Sequence, residues 1–170
     1  MVRTHYIIMG VTGSGKTTIG SKLAKALHLE FLDADAFHPR SNITKMAAGV
    51  PLEDSDRLPW LSAVRDHLRK SDGCVLACSA LKKSYRSILA DTSIATLFIH
   101  LTISRDTAIA RVSSRSDHFM PADLVESQFR SLEQSADLIV IDAEQPEESV
   151  LESVVLALEN RQKNIGEILN

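Results

Sequence analysis

Short apolar runs alternate with longer amphipathic segments from one end of this chain to the other. The first run, residues 6–9, contains two isoleucines and has the length of a buried strand. The segment after it carries Ile19, Leu23 and Leu27 at helical spacing. Strands that alternate with helices in this way predict an α/β fold with helices on both faces of a parallel sheet. Four further apolar runs, which make five predicted strands in all, lie at residues 31–32, 74–78, 95–101 and 138–141.

The amphipathic segments also predict which side chains the other helices bury. Ile43, Met46 and Ala47 form an apolar stripe on a helix that begins near Pro39. The polar stretch from Arg161 to the end is predicted to fray. Further inward-facing positions are predicted at Leu58, Leu61, Val64 and Leu68, at Tyr85, Ile88 and Leu89, at Ile109 and Val112, and at Val150, Val154, Val155 and Leu158.

Length and composition narrow the class of protein. A chain of 170 residues with 44% hydrophobic and 24% charged residues is predicted to form one globular domain, residues 1–170. Its net charge of −3 argues against a nonspecific nucleic-acid-binding protein. No apolar run approaches the roughly 20 residues of a membrane span, and the first strand follows the N-terminus directly, without a secretory signal. We therefore expect a cytoplasmic protein.

The two cysteines support the same location. Cys74 and Cys78 are four positions apart in a predicted strand, too far apart along an extended chain to form a disulfide. We interpret them as buried structural thiols, which suit a reducing compartment.

The most informative motif lies between the first strand and the first helix. Residues 10–17, GVTGSGKT, have two glycines separated by four residues, followed by Lys16 and Thr17. Glycines let the backbone N–H groups curl round a phosphate chain, and the following helix N-terminus favours the same anion. Lys16 can reach the β- and γ-phosphates, and the Thr17 hydroxyl can bind Mg²⁺. The motif in this context predicts a nucleoside triphosphate site.

Polar residues follow the predicted strands where parallel strands place a ligand site. Asp33 and Asp35 come after the second strand and could hold Mg²⁺ through water or orient an acceptor hydroxyl, although aspartates there also cap helices. His38, three residues on, is a candidate substrate contact or a packing residue. Ser79, Lys82 and Asp142 follow later strands, so all these side chains are predicted to converge on the phosphate-binding loop.

Basic residues suggest a second half of the site. Arg57, Lys82 and Arg86 could form a cationic pocket for an anionic acceptor, or they could lie on solvated helix surfaces. Arg111 and Arg115 are one helical turn apart beside an irregular stretch, residues 113–121, that could close as a lid. Arginines on such a lid can stabilise the transferring phosphoryl group.

Several classes of nucleotide-binding protein can be compared with these features. A GTPase would carry an Asn-Lys-x-Asp signature, and none follows the loop. A motor or transporter ATPase would usually close an apolar strand with an acidic pair, but the third strand here ends Ala77-Cys78-Ser79. A small-molecule kinase fits the size and layout best. The alternative from another class is a nucleotide-dependent regulatory protein without an acceptor.

The chain resembles the bacterial-type, thermoresistant gluconokinases, which belong to the P-loop group of shikimate-kinase-like and nucleoside-monophosphate-kinase-like proteins. The resemblance extends from about Tyr6 to about Val154, and Cys78 to Lys82 and Pro59-Trp60-Leu61 are its most specific segments. Other matching segments are Met9 to Lys16, Phe31 to Asp35 with His38-Pro39, Asn42-Ile43, Lys45-Met46, Gly49, Pro51-Leu52, Asp56-Arg57, Tyr85-Arg86, His118-Phe119-Met120, Gln128-Phe129, Asp142 and Gln145-Pro146.

This resemblance implies a three-layer P-loop fold with a short lid and an activity, the ATP- and Mg²⁺-dependent phosphorylation of D-gluconate at its 6-hydroxyl. The product, 6-phosphogluconate, feeds the pentose phosphate or Entner–Doudoroff route. The resemblance also suggests a homodimer. The runner-up acceptor is another small hydroxy acid, such as shikimate. Close aldonic acids are not distinguished from gluconate, because one stereocentre changes only a hydrogen bond or two.

The resemblance also implies roles for particular residues. Asp33 would lie near Mg²⁺ with Thr17, and Arg111 and Pro146 would sandwich the adenine. Lys16, Asp35 and Arg115 would be catalytic, although residues 112–117 are less basic than the family's lid, which leaves the phosphate-contacting lid residue open. The nucleotide set is Gly10, Gly13, Ser14, Gly15, Lys16, Thr17, Thr18, Arg111, Gln145 and Pro146, and the substrate set is Asp35, His38, Arg57, Lys82, Arg86 and Gln128.

Overall fold

Five parallel strands form one sheet in a computed structural model that describes residues 4–90, 93–114 and 122–168. The spatial order is β2-β3-β1-β4-β5, so β1 lies at the centre and pairs with β3 and β4. Ile8 of β1 lies opposite Ala77 of β3 and Ile99 of β4. The predicted five-stranded parallel sheet is confirmed. The strands are β1 (Thr4–Met9), β2 (Glu30–Asp33), β3 (Cys74–Ala77), β4 (Ala95–Thr102) and β5 (Ile139–Asp142).

Helices connect successive strands and cover the sheet, as a βαβ chain requires. A 3₁₀ turn, Ala34–Phe37, follows β2 directly. The last helix continues through Arg161, so the polar C-terminal stretch is helical as far as residue 168 instead of frayed from 161. The helices are α1 (Lys16–Leu27), α2 (Arg40–Ala47), α3 (Asp54–Leu68), α4 (Lys83–Leu89), α5 (Arg105–Ser113), α6 (Ala122–Ser131) and α7 (Glu147–Ile168).

The two faces of the sheet carry separate hydrophobic cores. Alternate residues of β1 point to opposite faces: Ile8 belongs to the core that contains α1 and α7, whereas Ile7 and Met9 belong to the core that contains α3 and α4. Trp60 is the largest side chain of the second core, and its indole N–H donates to the Ala34 carbonyl at 2.7 Å. This bond joins α3 to the turn after β2, where the predicted acidic site residues lie.

Five predicted core positions are exposed. Ile43 and Met46 of α2 are 52% and 44% exposed, and Ala47 of the same helix is exposed as well, whereas the polar Asn42 is only 2% exposed. Leu58 and Ile109 are 50% and 40% exposed. The predicted stripe on α2 is therefore wrong. The reason is that Asn42 anchors this helix to α3 through its hydrogen bond to the Asp56 carbonyl, which turns the apolar residues of α2 outward.

The cysteine predictions agree with the structure. Cys74 and Cys78 are free and buried, and burial raises the pKa of each thiol to about 12. Within the described ranges, no helix is long and apolar enough to cross a membrane.

Candidate active site

The phosphate-binding loop lies where the sheet's central strand turns into α1. Gly10 has φ of 146°, and a Cβ there would lie 2.6 Å from the Leu101 carbonyl oxygen of β4. Gly13 has φ of 79°, and its Cβ would lie 3.2 Å from the Ala108 carbonyl of α5. A side chain at either position would meet both an unfavourable φ and a rigid backbone. These two glycines therefore let the loop fit between β4 and α5.

The loop presents donors suited to a phosphate chain. Gly15 is the N-cap of α1 and has no side chain, so it cannot cap the first N–H groups of the helix. The Ser14 hydroxyl is buried and has no hydrogen-bond partner among the described residues. A buried, unpaired polar atom beside a helix N-terminus fits an anionic ligand that supplies the missing contacts.

The carboxylate of Asp33 connects this loop to β2. Its Oδ2 accepts a hydrogen bond of 3.2 Å from the Thr17 hydroxyl, and its Oδ1 accepts one of 3.0 Å from the Asp35 backbone N–H. A hydroxyl and a carboxylate at the foot of a phosphate-binding loop are the hard oxygen ligands that Mg²⁺ prefers, completed by water and phosphate. The residues present therefore fit Mg²⁺. Lys16 lies beside them and donates to the Val11 carbonyl at 2.9 Å.

Asp35 lies at the opening of the cleft. Desolvation by the surrounding protein and the negative charge of Asp33 raise the pKa of the Asp35 carboxyl. The charges of His38 and Lys16 lower it. The Asp35 side chain is 87% exposed, and its Oδ1 lies 3.8 Å from His38 Nε2. Its backbone N–H donates to Asp33, which also accepts from Thr17, so these contacts connect Asp35 to the phosphate-binding loop as well as to His38.

His38 forms a buried wall of the same cleft. Its ring stacks on Trp60 with centroids 4.2 Å apart, and its Nε2 is 3.8 Å from Asp35 Oδ1. The side chain is only 6% exposed, and burial lowers its pKa, opposed by Asp35 and assisted by Arg57. Imidazole that is buried in this way is neutral at physiological pH.

Asn42 selects the tautomer of His38. Its Nδ2 is 2.9 Å from the Asp56 carbonyl, a group that can only accept, and 3.3 Å from His38 Nδ1. The amide nitrogen therefore faces both groups and donates to both. Neutral His38 then carries its proton on Nε2, the nitrogen that faces Asp35.

A second group of polar side chains lies next to His38, where α3 meets the start of α4. We call Arg57, Lys82 and Tyr85 the Lys82 cluster. The Lys82 ammonium and the Arg57 guanidinium lie 5.4 and 5.8 Å from the centre of the Tyr85 ring. The Arg57 Nη1 donates to the Leu52 carbonyl at 2.5 Å. The structure thus brings together two of the three basic residues predicted for an anionic acceptor.

The third, Arg86, serves the fold instead. It is 3% exposed, and its Nη1 donates to the Ala80 and Leu81 carbonyls at 3.0 Å each. Its Nη2 donates to the Glu133 carbonyl at 2.8 Å. The prediction that Arg86 faces the acceptor is wrong, because its donors are directed to backbone carbonyls. These bonds hold the turn that presents Lys82, in which Ala80 has a positive φ of 43°.

The opposite side of the loop carries the residues predicted for adenine. Arg111 donates to the Gly13 carbonyl at 3.2 Å and to the Ala143 carbonyl at 3.0 Å. It therefore joins the phosphate-binding loop to the segment after β5, where Gln145 and Pro146 are exposed. Arg111, Gln145 and Pro146 thus share one edge of the cleft.

Gln128 and Arg115 complete the predicted set. Gln128 of α6 accepts a hydrogen bond of 2.7 Å from the Thr12 backbone N–H, so it contacts the phosphate-binding loop and not the Lys82 cluster. Arg115, with residues 115–121 of the predicted lid, lies outside the described residues.

Sequence reasoning missed three side chains of this site. Asn42, Asp54 and Tyr85 each contact a predicted residue. None of the three is among the predicted site residues, and Tyr85 is predicted only as an inward-facing position. Asn42 is the buried residue of α2, and the tertiary structure is needed to recognise this.

Comparison with known proteins agrees with the geometry. A family model described as shikimate kinase matches residues 12–159. The thermosensitive gluconokinase of Escherichia coli K12 is 44% identical over 150 residues, which cover 84% of this chain and 80% of that protein. The thermoresistant gluconokinase of the same organism is 40% identical over 158 residues, covering 88% of this chain and 90% of the relative.

The fold comparison extends over nearly every residue. The crystal structure of a gluconokinase from Sinorhizobium meliloti 1021 superposes with a TM-score of 0.90 at 34% identity and covers 99% of both chains. The phosphate-binding loop, the aspartates after β2 and the basic residues of α3 and α4 all lie within the matched lengths. The chain belongs to the gluconokinase family, within the shikimate-kinase-like P-loop kinases.

Proposed function

We propose that this protein transfers the γ-phosphoryl group of ATP to the 6-hydroxyl of D-gluconate and releases 6-phospho-D-gluconate and ADP. The observation that carries the proposal is the chain of contacts from the phosphate-binding loop to His38: Thr17 donates to Asp33, Asp33 accepts from the Asp35 N–H, and Asp35 Oδ1 lies 3.8 Å from His38 Nε2. A polyhydroxy acid has both features that this arrangement requires, a hydroxyl at one end and a carboxylate at the other. The names of the relatives support the same acceptor.

The loop and helix α1 would bind the nucleotide. The N–H groups of residues 13–18 and the Ser14 hydroxyl would surround the β- and γ-phosphates, and Lys16 would exchange its bond to the Val11 carbonyl for a phosphate oxygen. Arg111, Gln145 and Pro146 would contact the adenine. Arg115 would approach the phosphates from the lid.

Thr17 and Asp33 would hold Mg²⁺, which neutralises charge on the phosphates when bound. Asp35 would accept a hydrogen bond from the 6-hydroxyl, hold its oxygen in line with the γ-phosphorus and receive its proton. A new oxygen–phosphorus bond forms as the bond to the ADP oxygen breaks. His38, with its proton on Nε2, would donate to an oxygen of the acceptor or to Asp35 itself.

Arg57 and Lys82 would read the carboxylate of gluconate. Charge-assisted hydrogen bonds from a guanidinium and an ammonium are the strongest neutral-pH contacts for such a group. Gln128, which contacts the loop, would steady the loop and reach the acceptor from there. We place the reaction in the cytoplasm, in gluconate utilisation, which two free buried thiols suit. The predicted homodimer would be checked by light scattering.

A coupled assay of ADP release tests this function. With ATP and Mg²⁺ present, the acceptor is varied among D-gluconate, idonate, shikimate and none. Strong turnover with gluconate alone is the expected result. Turnover with shikimate would favour the runner-up acceptor, and ADP release without any acceptor would indicate an ATPase or a nucleotide-dependent switch.

A further inference from the structure

Within the Lys82 cluster, a carboxylate of the protein itself occupies the position expected for an acid ligand. The Lys82 ammonium donates to both oxygens of Asp54, at 2.8 and 2.9 Å. The Tyr85 hydroxyl donates to Asp54 Oδ1, and the Arg57 Nη1 lies 4.0 Å from the same oxygen. The donors proposed to read the carboxylate of gluconate are therefore directed at Asp54.

We propose that Asp54 is a specificity-determining residue that fills the carboxylate position of the acceptor site in the free protein and leaves it when the acid binds. The proposal rests on the proposed function, because it needs an acceptor that carries a carboxylate. Asp54 would thus act as an internal competitor that every acid must displace.

The contacts of Asp54 are solvent-exposed, so replacing them by contacts to a ligand costs little free energy. Its side chain is 58% exposed, and it stands at the first position of α3, where a rotation of the side chain leads into solvent. Ion pairs that are exposed to this extent contribute little to stability. The start of the helix does not depend on Asp54, because Glu53 and Asp56 form the capping box.

The cluster is also filled incompletely by Asp54. Arg57 remains 4.0 Å from the nearest Asp54 oxygen, beyond hydrogen-bond distance, and donates to a backbone carbonyl instead. A carboxylate on a free ligand is not tied to α3 and can approach both Arg57 and Lys82. The same donors can therefore bind the acid more fully than they bind Asp54.

The net charge of these side chains explains why Asp54 would affect the choice of acceptor. Lys82, Arg57 and Asp54 together carry a net charge of about +1, which suits one monovalent acid. Small anions without hydroxyl groups would gain too little from the cluster to displace Asp54. An acid that also contacts Asp35 and His38 through its hydroxyls gains enough from both parts of the site. Asp54 would therefore favour a polyhydroxy acid over simple carboxylates.

The decisive variant is Asp54→Asn, which keeps the shape and removes the charge. We expect the KM and the dissociation constant for gluconate to fall about fivefold, because a competing like charge is removed from the carboxylate position. Acetate should barely inhibit the unmodified enzyme and should become a measurable competitor of gluconate in the variant. The KM for ATP should not change.

A matched control lies on the same helix. Asp66 of α3 is 52% exposed and pairs with Arg65 and Arg69, away from the Lys82 cluster, so Asp66→Asn makes the same charge change elsewhere. It should leave the gluconate KM and the acetate inhibition unchanged. Thermal unfolding of both variants checks that the fold is intact.

The sign of the effect distinguishes two roles for Asp54. If Asp54 positions Lys82 for the substrate, the gluconate KM of Asp54→Asn rises and acetate gains no inhibition, and the proposal is overturned. An unchanged KM overturns it as well. Only a lower KM together with new acetate sensitivity supports it.

A readout without turnover separates this proposal from the proposed function. Tyr85 is one of two tyrosines in the chain, so ¹³C labelling of the phenol carbon gives two signals, assigned with Tyr6→Phe. In the unmodified protein, gluconate should shift the Tyr85 signal as it replaces Asp54, and in Asp54→Asn the shift should saturate at lower concentration. If the enzyme fails to phosphorylate gluconate, the proposed function falls, whereas acetate titrations of this signal still test the displacement. A Tyr85 signal that Asp54→Asn leaves unchanged would overturn the proposal.

Discussion

The two halves of the site are built in different ways. The phosphate-binding part of the nucleotide half consists of consecutive residues, 10–18, whose backbone N–H groups are positioned by glycines and by the start of α1. The acceptor half collects side chains from the turn after β2, from α2, from α3 and from the turn before α4. A backbone site depends on local conformation, whereas a side-chain site depends on how separate elements pack. We therefore expect substitutions in the first half to impair chemistry and those in the second to alter acceptor binding.

The largest expected effect belongs to Lys16, which we propose binds the phosphates in exchange for its bond to the Val11 carbonyl. Lys16→Ala should lower kcat for gluconate by about 10²–10³-fold, because a preorganised positive charge at the phosphates is lost. The coupled ADP assay measures this. Lys22→Ala is the control, since Lys22 lies on the same helix but pairs with Glu147 and Glu148. Full activity of Lys16→Ala would refute the role of the loop in catalysis.

Asp35 stands at the boundary between the halves. Asp35→Asn should lower kcat by about 10²-fold and leave the KM for ATP unchanged, because the acceptor loses its hydrogen-bond acceptor and proton acceptor. An ordinary KM for ATP with normal kcat would exclude Asp35 from the reaction.

The pH dependence tests the same residue. The active form of Asp35 is the carboxylate, and its pKa is raised by its position in the cleft and by Asp33. As the pH falls, Asp35 is therefore protonated earlier than an ordinary aspartate, and kcat should decline at a correspondingly higher pH. The decline should disappear in Asp35→Asn, and its persistence there would assign the acidic limb to another group.

A substitution of Lys82 tests the acceptor half of the site. Lys82→Met should raise the KM for gluconate by about 10- to 100-fold, the value of a charge-assisted hydrogen bond, and leave the KM for ATP unchanged. Lys83→Met is the control, because this neighbouring side chain is exposed on the first turn of α4. Equal effects of Lys82→Met on both KM values would contradict a role in reading the acid.

A substitution of Arg86 tests whether this residue stabilises the fold or contacts the acceptor. Arg86→Lys should destabilise the protein by about 2 kcal/mol in urea unfolding. The reason is that the single nitrogen of an ammonium cannot take the positions of both Nη1, which bonds to Ala80 and Leu81, and Nη2, which bonds to Glu133. The KM for gluconate should change only indirectly, as far as the loss of these bonds displaces the turn that carries Lys82. A variant of normal stability with a strongly raised gluconate KM would show instead that Arg86 contacts the acid.

The smallest expected effect concerns the tautomer of His38. Asn42→Ala removes the donor to Nδ1 and should let the proton exchange between the two ring nitrogens, with a loss in kcat/KM of about two- to tenfold. Nitrogen NMR of the imidazole ring, assigned with His38→Gln, should show Nε2–H alone in the unmodified protein and a mixture in the variant. A mixture already present in the unmodified protein would contradict the assignment.

The predictions made from sequence succeeded where neighbouring residues determine the structure. The strands, the loop of residues 10–17 and the helix after it follow from apolar runs, glycines and helical spacing, which act over a few positions. They failed where distant elements decide burial. Ile43 and Met46 were predicted to face a core, but Asn42 bonds to the Asp56 carbonyl 14 positions away and turns them to solvent.

The same distinction applies to the basic residues. Sequence spacing could place Arg57, Lys82 and Arg86 on helices but could not say which partners their donors meet. Packing against the segment around Glu133 buries Arg86, whereas Lys82, four positions earlier, remains at the cleft and meets Asp54. The resemblance named the family and the acceptor class, and it gave no account of this partnership.

The sequence by itself determined a parallel α/β kinase fold and a phosphate-binding loop, because both are encoded in contiguous residues. The tertiary structure alone decided which charges stay available to an acceptor. The reason is physical: a charged side chain binds whatever partner packing brings within about 4 Å, and that partner, here Asp54 for Lys82, can lie 28 positions away in the chain.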